Sequence, residues 1–175
     1  MLASMVLGAF EITMDWLLLI CLIPFVSRAI LAWCCLTVVE RPMAAAIRDT
    51  ATHRAAILAI AGFSITIFAG LAVLDTQKDF HLAAAFAAVS FVAYFAAYSI
   101  QTYKWFIWID LVGDAFMDTG SLSLVLAMMC VFHQIPSHSA NWVACILGPV
   151  VWSIDHVVKW VASYKYFREL RNQSQ

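Results

Sequence analysis

Long apolar runs, each close to or above the about 20 residues a helix needs to cross a bilayer, alternate with short polar stretches along the whole chain. The first run, WLLLICLIPFVSRAILAWCCLTVV, occupies 16–39, and the others fall at about 55–74, 82–100, 105–132 and 142–162. This pattern predicts an all-α fold: a polytopic bundle of five transmembrane helices in one domain over 1–175. Pro24 lies inside the first run and predicts a kink there, because proline removes a backbone donor and crowds the preceding turn. In the third run Ala83 and Ala87, Ala84 and Ala88, and Ala93 and Ala97 recur at a spacing of four. Small residues so placed let helix backbones approach closely in lipid, which marks this helix as a packing surface for another span or another subunit.

The polar stretches orient the bundle. Lys and Arg are retained on the cytoplasmic side, and they gather in alternate connections: Arg41, Arg48 and Arg54 after the first run, Lys104 after the third, and Lys165, Arg168 and Arg171 after the fifth. The other set holds Glu11 and Asp15 at the amino end, a single Lys78 in DTQKDFH, and no Lys or Arg in HQIPSHSAN. Five spans then place the amino end outside and the carboxyl end in the cytoplasm, most simply in a cell's inner (plasma) membrane. Trp16 and Trp142 fall at the outer ends, and Tyr103, Trp105, Trp108, Trp160, Tyr164 and Tyr166 at the inner ends, where amphipathic rings favour the interface. The opening MLASMVLGAFEITMD has no basic residue and predicts a retained amino end rather than a cleaved leader.

Composition narrows the function classes. The chain is 64% hydrophobic and 12% charged, against about half and a quarter for soluble domains, and its 175 residues leave no room for a separate soluble catalytic domain. Ten basic and eleven acidic residues form no basic face for nucleic acid. Cys21, Cys34, Cys35, Cys130 and Cys145 lie in apolar runs without zinc or redox spacing and read as reduced packing residues. His81, His133 and His138, with Asp75 and Asp79, fall in outer loops without paired metal spacing. No cofactor or metal site is expected.

The chemistry concentrates in WIDLVGDAFMDTGS, where Asp110, Asp114 and Asp118 stand four residues apart. Steps of four drift by roughly 40° on a helix, so the three share a stripe roughly 80° wide, with Gly113, Met117 and Ser121 beside it. Counted from Trp105, they lie roughly 8, 14 and 20 Å into the membrane. A chain turn at Gly113 instead of near Gln101 would move them into a cytoplasmic corner. Intramembrane carboxylates face the bundle interior and take partners. The fifth run offers Trp152, Asp155 and Lys159 on one face with Gly148 and Ser163, with His156 to the side; Arg28 is the base in the first run. Counting from the inner ends sets Lys159 beside Asp110, Asp155 and His156 beside Asp114, and Arg28 between Asp114 and Asp118. Spans one, four and five would thus surround an inner cavity with Asp110, Asp114, Asp118 and Asp155 along an ion pathway and Arg28, Lys159 and His156 as charge partners. Four acids against two fixed bases leave it acidic, and Val125 and Met128 farther out would form an apolar neck.

Weaker sets fall away. Ser153, Asp155 and His156 do not make a hydrolase triad, since adjacent helical positions point about 100° apart, and the Asp-Gly-x-x-Ala-Arg core of the membrane alcohol phosphatidyltransferases is absent. The expected function is an oligomeric, cation-favouring channel rather than an enzyme, with carboxylates providing selectivity. The alternatives are a non-conducting anchor that binds a partner protein and a proton-coupled small transporter.

Overall fold

The computed structural model describes residues 19–34, 51–78, 80–100, 107–133 and 138–172. Within them the chain is all-helical: α1 (Ile23–Cys34), α2 (Ala51–Lys78), α3 (His81–Ile100), α4 (Ile107–His133) and α5 (His138–Asn172). Four of these contain segments long and apolar enough to cross a membrane: Arg54–Val73, His81–Ile100, Ile107–His133 and Cys145–Leu170. For the predicted first span the described helix is Ile23–Cys34; 16–18 and 35–39 of that run lie outside the described residues. So do Glu11, Asp15, Trp16, Cys35, Arg41, Arg48, Asp79, Tyr103, Lys104 and Trp105, and the side chains of Asp75, Lys78, His138, Trp142 and Arg171.

The predicted kink at Pro24 is a break just ahead of it. The Leu22 amide donates to the Leu19 carbonyl and the Val26 amide to the Leu22 carbonyl, both at 3.0 Å, as one turn closes and α1 begins. Pro24 then sits in the first turn of α1, where its missing N–H has no partner to lose. Gly113 is inside α4, which leaves all three aspartates helical, while Gln101 lies outside the described residues. α5 extends to Asn172, beyond the end expected from the apolar run.

α3 packs between α2 and α4, while α4 also carries α1 and α5. The small-residue face of α3 makes this possible. Ala83, Ala87, Ser90, Tyr94 and Ala97, at alternating steps of four and three, are all buried, so this face is used against the chain's own helices. Polar stitching adds specificity: the Ser64 and Ser90 hydroxyls lie 3.0 Å apart, and Ser90 donates to the Gly120 carbonyl at 2.9 Å, which links α2, α3 and α4. At one end of the α2 and α3 pair, the Arg54 guanidinium lies 4.9 Å over the Tyr98 ring. On the other side of α4, Phe25 of α1 meets Phe116 edge to face at 4.8 Å.

Candidate functional site

Asp118 is the organising residue. It projects from the middle of α4 and is 2% exposed, so its charge must be met by neighbours. Arg28 of α1 donates from Nη2 to Asp118 Oδ2 at 2.9 Å and from Nη1 to Ser163 Oγ of α5 at 3.2 Å. The guanidinium fork thereby ties three helices with one side chain, which a lysine's single ammonium would not do with this geometry. His156 Nδ1 lies 3.1 Å from the same Oδ2. Lys159 Nζ approaches the other oxygen, Oδ1, at 3.5 Å, and also pairs with Asp155 one turn back on α5.

The surroundings fix the imidazole. His156 Nε2 is 3.0 Å from Ser27 Oγ, and the Trp152 ring stacks on it with centroids 5.0 Å apart and planes 11° from parallel. Trp152 Nε1 donates to the Asp118 carbonyl and to Ser121 Oγ, both at 3.2 Å, and Trp160 Nε1 donates to the Ser27 carbonyl at 3.2 Å. Trp152, His156 and Trp160 are spaced by four, and they form the edge of α5 that meets α1 and α4.

Arg28, Asp118, His156 and Lys159 are therefore brought together, with Asp155 at the margin. Asp110 and Asp114 are half-buried farther back on α4 and engaged in interactions of their own. In the cluster two fixed cations, Arg28 and Lys159, face two carboxylates, Asp118 and Asp155, so it is balanced rather than acidic. The depth expected for α5 is also shifted: His156 and Lys159 meet Asp118, not Asp114 and Asp110, because α5 runs on past the point from which depth was counted. His156 rather than Asp155 takes the buried place; the Asp155 side chain is 53% exposed.

Asp155 and Lys159 border a groove of about 680 Å³ between α2 and α5, walled by Ile57, Leu147 and Trp152 and floored by Met117 and Val125 of α4. That volume is in the range of small-ligand sites. Val125 marks a close approach, since a Cβ on Gly148 would lie 3.0 Å from its Cγ1. Met128 is exposed on the bundle surface, so the two expected neck residues are not brought together. The four described cysteines are free thiols, with Cys21 buried against Ser123. Among the described residues no three His, Cys, Asp or Glu side chains are grouped as a metal site would need. Sequence reasoning missed Ser27, whose signal was modest: a hydroxyl beside the one buried base of α1. Comparison with known protein families, curated proteins and solved structures gives no match.

Proposed function

We propose that this chain is a multi-pass membrane protein, with amino end outside and carboxyl end cytoplasmic, that passes cations as a homo-oligomer, and that the arrangement described above is its closed state. One observation carries the reading: the Lys159 ammonium occupies the place between two carboxylates, Asp118 Oδ1 and Asp155 Oδ2, that a mobile cation would otherwise take. A tethered ammonium there acts as a built-in competitor. When it swings out along the α2 and α5 groove, Asp155 and one oxygen of Asp118 become available to a permeating ion, while Arg28 stays on the other oxygen and holds the helices. The narrow approach of α4 and α5 at Val125 and Gly148 supplies an apolar constriction of the kind that gates by dewetting.

The Asp155 contact is exposed and the Lys159 ammonium sits at the long distance of 3.5 Å from Asp118, so the two contacts together hold Lys159 by about 1 kcal/mol. Lys159→Gln should therefore raise potassium flux into liposomes on the order of fivefold over the unaltered chain. Asp155→Asn combined with Lys159→Gln should remove that gain and reduce the preference for potassium over chloride. Flux that stays at the empty-liposome level in all three proteins rejects the pathway.

A further inference from the structure

His156 has a second face, turned from Lys159 toward α1, and it completes a relay that neither the sequence spacing nor the cation pathway uses. Ser27 Oγ lies 3.0 Å from His156 Nε2, and His156 Nδ1 lies 3.1 Å from Asp118 Oδ2. An ionised carboxylate only accepts hydrogen bonds, so Nδ1 carries a proton and, in the neutral ring, Nε2 is left with a lone pair facing the serine hydroxyl. Arg28 donates to the same carboxylate oxygen at 2.9 Å. The Ser27 hydroxyl has an alternative acceptor, the Pro24 carbonyl at 2.8 Å, so its proton can turn from the backbone to Nε2 without any movement of Oγ. Trp152 stacked on the ring and Trp160 bonded to the Ser27 carbonyl hold base and nucleophile in register. This is the order of roles in a Ser, His and Asp acyl-transfer triad, which is identified by geometry and not by chain position.

The location gives the substrate class. Ser27 and His156 line a groove of about 280 Å³ whose other walls are Ile30, Val157 and Trp160. Among its described lining residues the polar groups are the Ser27 hydroxyl, the His156 imidazole and the Trp160 indole N–H, and Ile30 and Val157 are exposed on the outer surface of the apolar bundle. We propose that Ser27, His156 and Asp118 form an acyl-transfer centre that hydrolyses carboxylic esters of apolar acyl chains entering from the bilayer. Ser27 Oγ attacks the ester carbonyl carbon as its proton passes to His156 Nε2; the carbon to alkoxy-oxygen bond then breaks, and the alcohol leaves with that proton. Water next attacks the acyl-serine, giving its proton to Nε2, and Ser27 leaves with that proton as the free acid departs. The sum is ester plus water to acid plus alcohol, with no change of oxidation state. Asp118 touches no reacting atom and is a positioning residue.

The centre uses Asp118 Oδ2 and the α1 side, whereas the cation pathway uses Oδ1 and the α2 side, so either can fail alone. The test is exposure of the full chain in lipid nanodiscs to a long-chain alkyl fluorophosphonate, followed by peptide mass spectrometry. The expected result is an adduct on Ser27 of the folded, unaltered chain. His156→Gln should slow it at least about a hundredfold, the usual scale of general-base assistance, and Ser27→Ala should abolish it together with turnover of long-chain p-nitrophenyl esters. The unaltered chain decides the matter even if the variants fold poorly: no adduct on Ser27, or one formed as fast in the denatured chain, overturns the proposal.

Discussion

At the residue scale the cluster is governed by the cost of burying charge. Asp118 is 2% exposed and Arg28 is 3% exposed, and breaking such a pair from one side costs about 3–5 kcal/mol because the surviving charge is stranded, whereas replacing both partners by apolar groups is often neutral. Arg28→Met should therefore lower the unfolding midpoint in detergent sharply, and Arg28→Met with Asp118→Leu should recover most of the loss. His156 and Lys159 would then remain without their carboxylate, so recovery should stop short of the original value; a double variant as unstable as the sum of the two singles would show that the pair is not coupled. The sequence set Arg28 between Asp114 and Asp118 by depth, without choosing between them, and the pairing is with Asp118. The place of His156 was not legible. Helical phase alone set it beside the Asp155 and Lys159 face, and only the packing of α5 through Trp152 and Trp160 shows that the histidine takes the buried position. Ser27 was less visible still, because a serine in an apolar helix normally satisfies itself on its own backbone, as Ser27 also does on the Pro24 carbonyl.

At the scale of elements, α3 and α4 share the most extensive contact in the bundle, and one glycine lies at its tightest point. A Cβ on Gly120 would stand 2.8 Å from two carbons of the Tyr94 ring, at a residue whose own carbonyl accepts from Ser90. Gly120→Ala must push the ring or the helix aside and should destabilise the protein by about 1–3 kcal/mol. Gly62→Ala on α2 meets nothing within 4 Å and should be neutral or stabilising by up to about 1 kcal/mol through helix propensity. Thermal unfolding of both variants in the same detergent checks the contrast; equal effects would mean that the ring does not hold α3 to α4. Helix existence and the alanine face of α3 were readable because apolar length and small-residue spacing are local properties. What covered that face was not local, and it proves to be α2 and α4. The ends of α5 were misjudged for a related reason: hydropathy marks where a helix leaves the apolar slab, while Tyr164, Phe167 and Leu170 continue it, with Phe167 packed on Leu31, Ile107 and Leu111.

For the whole molecule, the question is what faces α5. Its stripe Ile146, Val150, Ile154 and Val158 is exposed at a spacing of four, and α2 packs on α3 while α5 packs on α4, so the large groove opens sideways between them. A pathway for cations cannot run along a groove open to hydrocarbon, because a permeating ion there would lose its hydration without replacement. The proposed function therefore requires a second copy to close that side, and the α3 alanine face, already consumed, cannot be the surface that recruits it. Both helices that border the groove expose apolar side chains, Leu58 and Phe63 on α2 among them, and α5 carries the longer regular stripe. In a cysteine-free background, Ile154→Cys should form disulfide-linked dimers in membranes under mild oxidation, while Val92→Cys, exposed on α3, should not. The nanodisc mass should be a multiple of the 19.5 kDa protomer. A single-copy particle in which Ile154→Cys stays uncrosslinked would leave the groove facing lipid; cations would then have no enclosed route, whereas an acyl chain entering beside Ser27 would need none.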